Sequence, residues 1–408
     1  MDDIISEGSH VVLMKSFDSS NMKIVPAIRN TVVHYGKLHF DPSPLIGSKY
    51  GSVFEIKEGC MSKVDNFLDY DTELSNKVSN KVITFNEKSQ FSKEKLIKKK
   101  KRQNHANIVT VIRSSLTLLN DMLYARDKLG GLRIDTLGQI LTLANIQNGT
   151  RCLLLDHNLG LLTSAVMSRS LPDGICIQLM ADYEAICTTR KTLNMLNLGE
   201  RACSGGLFAI TIRDLYKVRT RNDSFEYEDD VMRTRAREHM ERLAQIQTRT
   251  TRSETNEKIL IEPEEVQHGH MQEILTKKDT NRESRCYQRL KAREYLRSFS
   301  LDSIILIAQN DHPLPLLKLT YAFLAPSRQF VIYSDTIEPL LECYQYLKSE
   351  SQAVSMILSE SWLRRYQVLP DRTRPEMNVS GYGGYLLSGI KALLKPNGEK
   401  VPSASEGQ

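Results

Sequence analysis

The sequence predicts an α/β fold class: an N-terminal β-barrel-like domain followed by a doubly wound sheet with helices on its faces. Three observations predict it. Short β-prone runs punctuated by Asp, Ser, Pro and Gly occupy Gly8 to Ile56, a spacing suited to a small barrel. A strand, a turn, a helix and a second strand follow one another from Arg151 to Met180, and the alternation resumes from Leu301 to Tyr344. The chain has 408 residues, 40% of them hydrophobic and 7% aromatic, enough for two or three packed domains.

Composition limits the function. The formal net charge of +6 is modest for this length, so affinity for nucleic acid has to come from local clusters. Seven cysteines lie scattered without a CxxC pair, which argues against a disulfide scaffold and a structural zinc site and for a reducing compartment. His268 and His270 make two ligands where zinc takes three or four. The N-terminus MDDIISEGSH is acidic and lacks an apolar signal region, and no apolar run approaches the roughly 20 residues that span a bilayer. A soluble intracellular protein is expected.

In the first domain, residues 1–58, the strands fall in VVLMK, NMKIVPAI, TVVHYG and KYGSVFEI, with Pro42, Pro44, Gly47 and Gly51 at turns. Docking of a partner and contact with RNA are both open to such a domain. Residues 59–106 are polar and form a connector with at most a short helix. The connector ends in the sharpest charge feature of the chain, Lys98, Lys99, Lys100, Lys101 and Arg102, preceded by Lys93 and Lys95. Such a run neutralises phosphates, marks a nuclear localisation signal or forms a solvated face.

Residues 107–217 are assigned to the first half of the α/β domain, with helices at Ser114 to Leu123 and Ile134 to Ala144, the second capped by Asp135. Residues 218–298 shift to Arg, Glu, Thr, Asp and Gln of nearly balanced sign, an insertion that cannot bury a core and is expected to be disordered in its middle. Helices are expected within it at Asp230 to Gln247 and Arg282 to Arg297. Residues 299–394 complete the domain through strands in SIILIAQ and RQFVIYS and helices in LPLLKLTYAFL and IEPLLECYQYL, and residues 395–408 are a disordered tail.

The densest stretch is Glu360 to Gly389, ESWLRRYQVLPDRTRPEMNVSGYGGYLLSG. Tyr366 to Leu369 and Tyr385 to Leu387 have strand propensity, which predicts a hairpin with a long loop. Arg364, Arg365, Arg372 and Arg374 present forked donors that suit phosphate, while Gly381, Gly383 and Gly384 permit positive φ or the close approach of a ligand. A solvated surface loop has the same composition.

The string WLRRYQVLPDRTRP followed by GGYLLSG closely resembles the C-terminal signature of the non-catalytic subunit of the eukaryotic tRNA adenine-N1 methyltransferase. Three further blocks resemble the same family in the same order: TFNEKSQFSKEKLIKKKKR, LRIDTLGQILTLANIQNG and HPLPLLKLTYAFLAPSRQFVIYSDTIEPLLECY. The resemblance implies a β-rich N-terminal domain, a degenerate Rossmann-like S-adenosylmethionine methyltransferase fold, and a catalytic partner subunit that carries the cofactor. It also implies tRNA as substrate, a heterotetramer of two plus two subunits, and a place in the nucleus. At 59–86 the pattern departs from the family, whose members carry a longer segment there. With the charge and glycine pattern, the resemblance points to tRNA contacts at Lys95, Lys98, Lys99, Lys100, Lys101, Arg102, Arg364, Arg365, Tyr366, Arg372, Gly383, Gly384 and Tyr385.

A methyltransferase of this kind needs a glycine-rich turn after its first strand, because the backbone must approach the methionine and adenosine moieties closely. Here the turn is Asp156, His157, Asn158, Leu159, Gly160, Leu161 and Leu162, with a single glycine and leucines expected to fill the cofactor's space. The second strand closes on Gln178, Leu179 and Met180, with Asp182 two residues late for the acid that holds ribose hydroxyls. The expectation is a chain with no catalytic residue, no metal and no cofactor of its own. An active methyltransferase and a non-enzymatic RNA-binding or translation factor are the alternatives.

Overall fold

In the computed structural model the chain divides into two units, residues 1–127 with 191–200 and residues 128–190 with 201–408. It describes residues 3–64, 107–220, 287–368, 372–377 and 382–393, together with Thr234, apart from breaks at 16–17, 37, 58, 127–131, 182–183, 200–205, 299 and 310. The basic run with Lys95, His268 and His270, the helix expected at Asp230 to Gln247 and the tail lie outside the described residues.

The first unit holds β1 (His10–Lys15), β2 (Asp18–Pro26), β3 (Val33–Tyr35), β4 (Leu38–Phe40), β5 (Val53–Lys57), β6 (Cys60–Val64), β7 (Ile108–Arg113) and helix α1 (Leu116–Arg126). The sheet order is β2-β1-β7-β5-β6, all antiparallel, and β3 pairs with β4 separately. Alternate residues face one core: Val11 and Leu13, Phe54 and Ile56, Val109 and Val111, closed by Tyr35 and Phe40 from the small hairpin. Two strands correct the expectations. Cys60–Val64 pairs with β5 and so extends this sheet into what was assigned to the connector. Ile108–Arg113 pairs with β1 and β5 and sits at the middle of the same sheet, so it does not open the α/β domain. The side chain of Asn197 accepts from the N–H and donates to the C=O of His10, at 2.7 and 3.0 Å.

The second unit runs α2 (Ile134–Leu143), β8 (Arg151–Leu155), α3 (Leu161–Ser170), β9 (Ile175–Met180), α4 (Glu184–Met195, whose end belongs to the first unit), β10 (Leu207–Thr211), α5 (Ile212–Thr220), β11 (Leu301–Ile307), α6 (Pro313–Thr320), β12 (Leu324–Ser334), α7 (Glu338–Ser349), β13 (Ala353–Trp362), β14 (Tyr366–Gln367), β15 (Arg374–Pro375) and β16 (Tyr382–Lys391). Its seven-stranded sheet has the order β10-β9-β8-β11-β12-β16-β13, with β8 to β12 parallel and β16 antiparallel to both neighbours. The central strands RCLLL, ICIQLM and LDSIILI are almost continuously apolar because both of their faces are covered. Leu153, Leu155, Ile177, Leu179, Ile304 and Leu306 form one side of the core.

The hairpin differs from its prediction. Ala353–Trp362 pairs with Tyr382–Lys391, whereas Tyr366–Gln367 pairs locally with Arg374–Pro375, making a short ribbon within the connecting loop. Asp135 does not cap α2; it sits in the first turn and holds Arg133 through two bonds of 2.5 and 2.7 Å.

The insertion is clasped at its stem. Asp214 on α5 is buried and accepts from Arg289 at 2.9 and 3.0 Å and from the fully buried Arg293 at 2.8 Å, both in the helical residues 287–298. Burial pushes the Asp214 carboxyl up, and the two guanidiniums outweigh it and hold it below the ordinary carboxylate range. Asp214→Asn removes the charge facing them, and an expected loss of about 3–5 kcal/mol in urea unfolding follows. Because the folded carboxyl is depressed, its contribution is full above the unfolded value of about 4 and disappears as pH falls through the folded one. The gap between wild type and variant should therefore close on acidification and stay constant from about pH 5 to 7.

Candidate functional site

Open α/β sheets bind ligands along the carboxyl ends of their parallel strands. In this chain that rim runs from Met180 through Leu155, Ile307 and Ser334 to Trp362, since β13 lies parallel to β12 across the antiparallel β16. The amino end of β16 and the described loop residues 363–368 and 372–377 adjoin the same rim.

At the β8 end the rim is closed. Gly160 adopts φ +81° at the start of α3, and a Cβ there would collide with the Cα of Thr189 and lie 2.7 Å from its Oγ1. Glycine is thus needed for α4 to pack on the turn. Asp156 turns inward and accepts from the N–H of Asn158, the N–H of Thr163 and the Thr163 hydroxyl, each at 2.8 Å. Burial pushes its carboxyl up, and these donors offset part of the rise. Leu161 and Leu162 are fully buried, while Leu159 is 53% exposed and fills no cofactor space, a correction to the expectation for that residue. Across the turn His157 meets Asp311 at 3.1 Å. Strand β9 ends in the buried Met180. These residues do not fit S-adenosylmethionine bound over a glycine-rich turn.

At the β13 end the rim is tied down from beneath. Arg133 donates to the carbonyl of Ser361 at 3.0 Å, and the Thr136 hydroxyl lies 2.7 Å from the Ser361 hydroxyl and 3.0 Å from the Gly383 carbonyl. The start of α2 therefore anchors both strands of the hairpin where they splay into the loop. A Cβ on Gly383 would strike Ser361 and Arg133; one on Gly384, at φ +75°, would lie 2.5 to 2.6 Å from the Tyr333 phenol. Both glycines are buried, so they serve this packing and do not face a ligand, contrary to the sequence expectation.

The arginines behave otherwise. Arg364, Arg365 and Tyr366 are exposed on one arm of the β14–β15 ribbon and Arg372 and Arg374 on the other, while Tyr385 is half-buried one pair inside the hairpin. The structure thus gathers Arg364, Arg365, Tyr366 and Arg372 at one end of the rim. Trp362 and Tyr382, to which the sequence reading gave no role, stand exposed beside them; the signal available was that Trp362 is the only tryptophan in the chain.

Strand β13 is also an edge. Val354 and Ile357 are exposed along it, and the register shifts between them, with Ser355 at φ +51°. A bulge of this kind breaks the regular face of an edge strand, yet apolar side chains remain in water. On the opposite rim Arg328 lies 3.3 Å from Asp302, which also holds Arg151 at 2.9 and 3.1 Å. Among the described residues no group of three His, Cys, Asp or Glu is placed to hold a metal, and no helix is long and apolar enough to cross a membrane.

Comparison with known proteins adds three findings. The Gcd10p family matches residues 71–242. The mouse protein named tRNA (adenine(58)-N(1))-methyltransferase non-catalytic subunit TRM6 is 30% identical, over 96% of this chain and 89% of its own length. The Dictyostelium discoideum protein of the same name is 24% identical, over 96% of this chain and 80% of its own. Among solved structures, an S-adenosylmethionine-dependent O-methyltransferase from Thermotoga maritima superposes with a TM-score of 0.55, at 12% identity and over 97% of both chains, a likeness of fold.

If the two glycines serve packing and the arginines do not, substitutions separate them. Gly384→Ala should cost about 2 kcal/mol or more, from overpacking and the left-handed backbone together, whereas Arg372→Ala should stay within about 0.5 kcal/mol of wild type. Urea unfolding of the full chain reads both.

Proposed function

The chain belongs to the Gcd10p family, and from that premise we propose how a non-catalytic subunit of tRNA (adenine(58)-N(1))-methyltransferase serves the methyl transfer. It binds tRNA and presents the target adenosine to a catalytic subunit, which carries S-adenosylmethionine and the reacting groups. The observation that carries this reading is the closed turn after β8, where Gly160 lies under Thr189 and Asp156 is engaged with Thr163. The exposed arginines of the ribbon, at the same rim, support tRNA contact through paired N–H donors on phosphate.

The catalytic subunit seats on the edge of β13. Val354 and Ile357 give that edge the apolar side chains, and its open backbone groups the pairing capacity, that a partner's strand uses. Related subunits sharing one fold commonly assemble with closed symmetry, which supports two copies of each in a heterotetramer. Lys98 to Arg102 add sequence-independent hold on the tRNA backbone and direct the protein to the nucleus.

Purified chain, purified catalytic subunit and the two together, each offered tRNA and S-adenosylmethionine, test the reading. Methyl transfer should require both; transfer by this chain alone would overturn it. Ile357→Lys should release the catalytic subunit in size-exclusion chromatography, and unchanged co-elution would remove β13 from the interface. Alanine at all five positions 98–102 of the complex should weaken every tRNA alike and lower the slope of log affinity against log salt by about 0.7 to 0.9 for every phosphate no longer neutralised. An unaltered slope with abolished nuclear import would make the run a targeting signal alone.

A further inference from the structure

Trp362 is 69% exposed, at the end of β13. Its partner in register is Tyr382, the first residue of β16, 45% exposed, whose ring meets that of Tyr385 edge-on at 6.0 Å. The backbone under the two rings is held by Arg133, which donates to the Ser361 carbonyl, and by the Thr136 hydroxyl, which donates to the Gly383 carbonyl, so the rings are presented on a rigid base. Two large aromatic side chains held at the ligand rim with much of their surface in water call for something that covers them.

The surrounding charge says what. On the loop side stand the exposed Arg364, Arg365, Arg372 and Arg374, with Glu376 among them. On the sheet side Tyr382 has Asp335, Glu360 and Glu338 within electrostatic reach, which with burial as the larger cause push its phenol up. A protein interface core is depleted in charge, and these rings are ringed by it. A nucleotide fits all three features: a flat base stacks on the rings, arginines take the adjoining phosphates, and carboxylates accept from exocyclic amino groups.

We propose that Trp362 and Tyr382 form a stacking platform for an unpaired nucleobase of tRNA, with the ribbon arginines holding the phosphates on either side. The platform rests on the tRNA-binding reading above and adds to it a contact that is read from the base and not from the backbone. Stacking is indifferent to salt, whereas each phosphate contact contributes to the salt slope, so the two parts are separable.

The test uses the assembled complex and end-labelled tRNA, with anisotropy measured across a salt series. Trp362→Ala should weaken binding by about 10-fold or more with an unchanged salt slope, Trp362→Phe should restore most of the affinity, and Arg372→Ala should lower the slope. Wild-type affinity in Trp362→Ala, while the unaltered complex binds tRNA, would overturn the platform and leave the tRNA-binding reading standing. Loss of the catalytic subunit from the Trp362→Ala complex, with tRNA affinity of the remaining complex unchanged, would also overturn it and assign the ring to the protein partner. If the unaltered complex binds tRNA no better than the catalytic subunit alone, the tRNA-binding reading fails and the platform with it.

Discussion

The Cα of Thr189 occupies the space that a side chain on residue 160 would need. That one contact sets the character of the second unit. It brings α4 down on the turn after β8 and turns the last glycine of that turn from an opening into a packing position. The acid at the strand's end is drawn inward with it, since Asp156 now satisfies the first turn of α3 through Asn158 and Thr163. The core beneath that turn, Leu153, Leu155, Ile177 and Leu179, is built from the sheet's own apolar side chains.

At the other end of the rim, polar groups are arranged in the opposite sense. Arg133, Thr136, Ser361 and Gly383 satisfy one another beneath the hairpin, which leaves the loop above them free to carry arginine forks and aromatic rings outward. Rigid support under exposed recognition groups lowers the entropy lost when a flexible polyanion is bound. The same end of the sheet offers an edge, so the exposed ribbon and the open strand β13 adjoin one another. The clasp of Asp214 with Arg289 and Arg293 joins α5 to the helical residues 287–298.

Much of this was legible in the residues. The central strands announce themselves as apolar runs, and α2, β8 and β9 fall within a residue or so of where periodicity puts them. Strand β7 was misplaced because NIVTVIR has the alternation of any half-buried strand, and only its partners, β1 and β5, decide which sheet it joins. Strand β13 escaped notice because AVSMILSESW carries two register shifts and polar residues on an exposed edge, which scramble a period of two. The glycines of GYGGY signalled special backbone, but a sequence cannot say whether a ligand or Tyr333 lies against the missing Cβ. Leu159 was expected inside and lies outside for a related reason, since its φ of +51° points the side chain away from the turn.

The central claim is that this chain keeps a methyltransferase fold whose cofactor turn is shut, and calorimetric titration of S-adenosylmethionine tests it most directly. The full chain alone should give no saturable heat, and the assembled complex should bind one cofactor for each pair of subunits. A saturable one-to-one signal from the chain alone, or two cofactors for each pair in the complex, would contradict it.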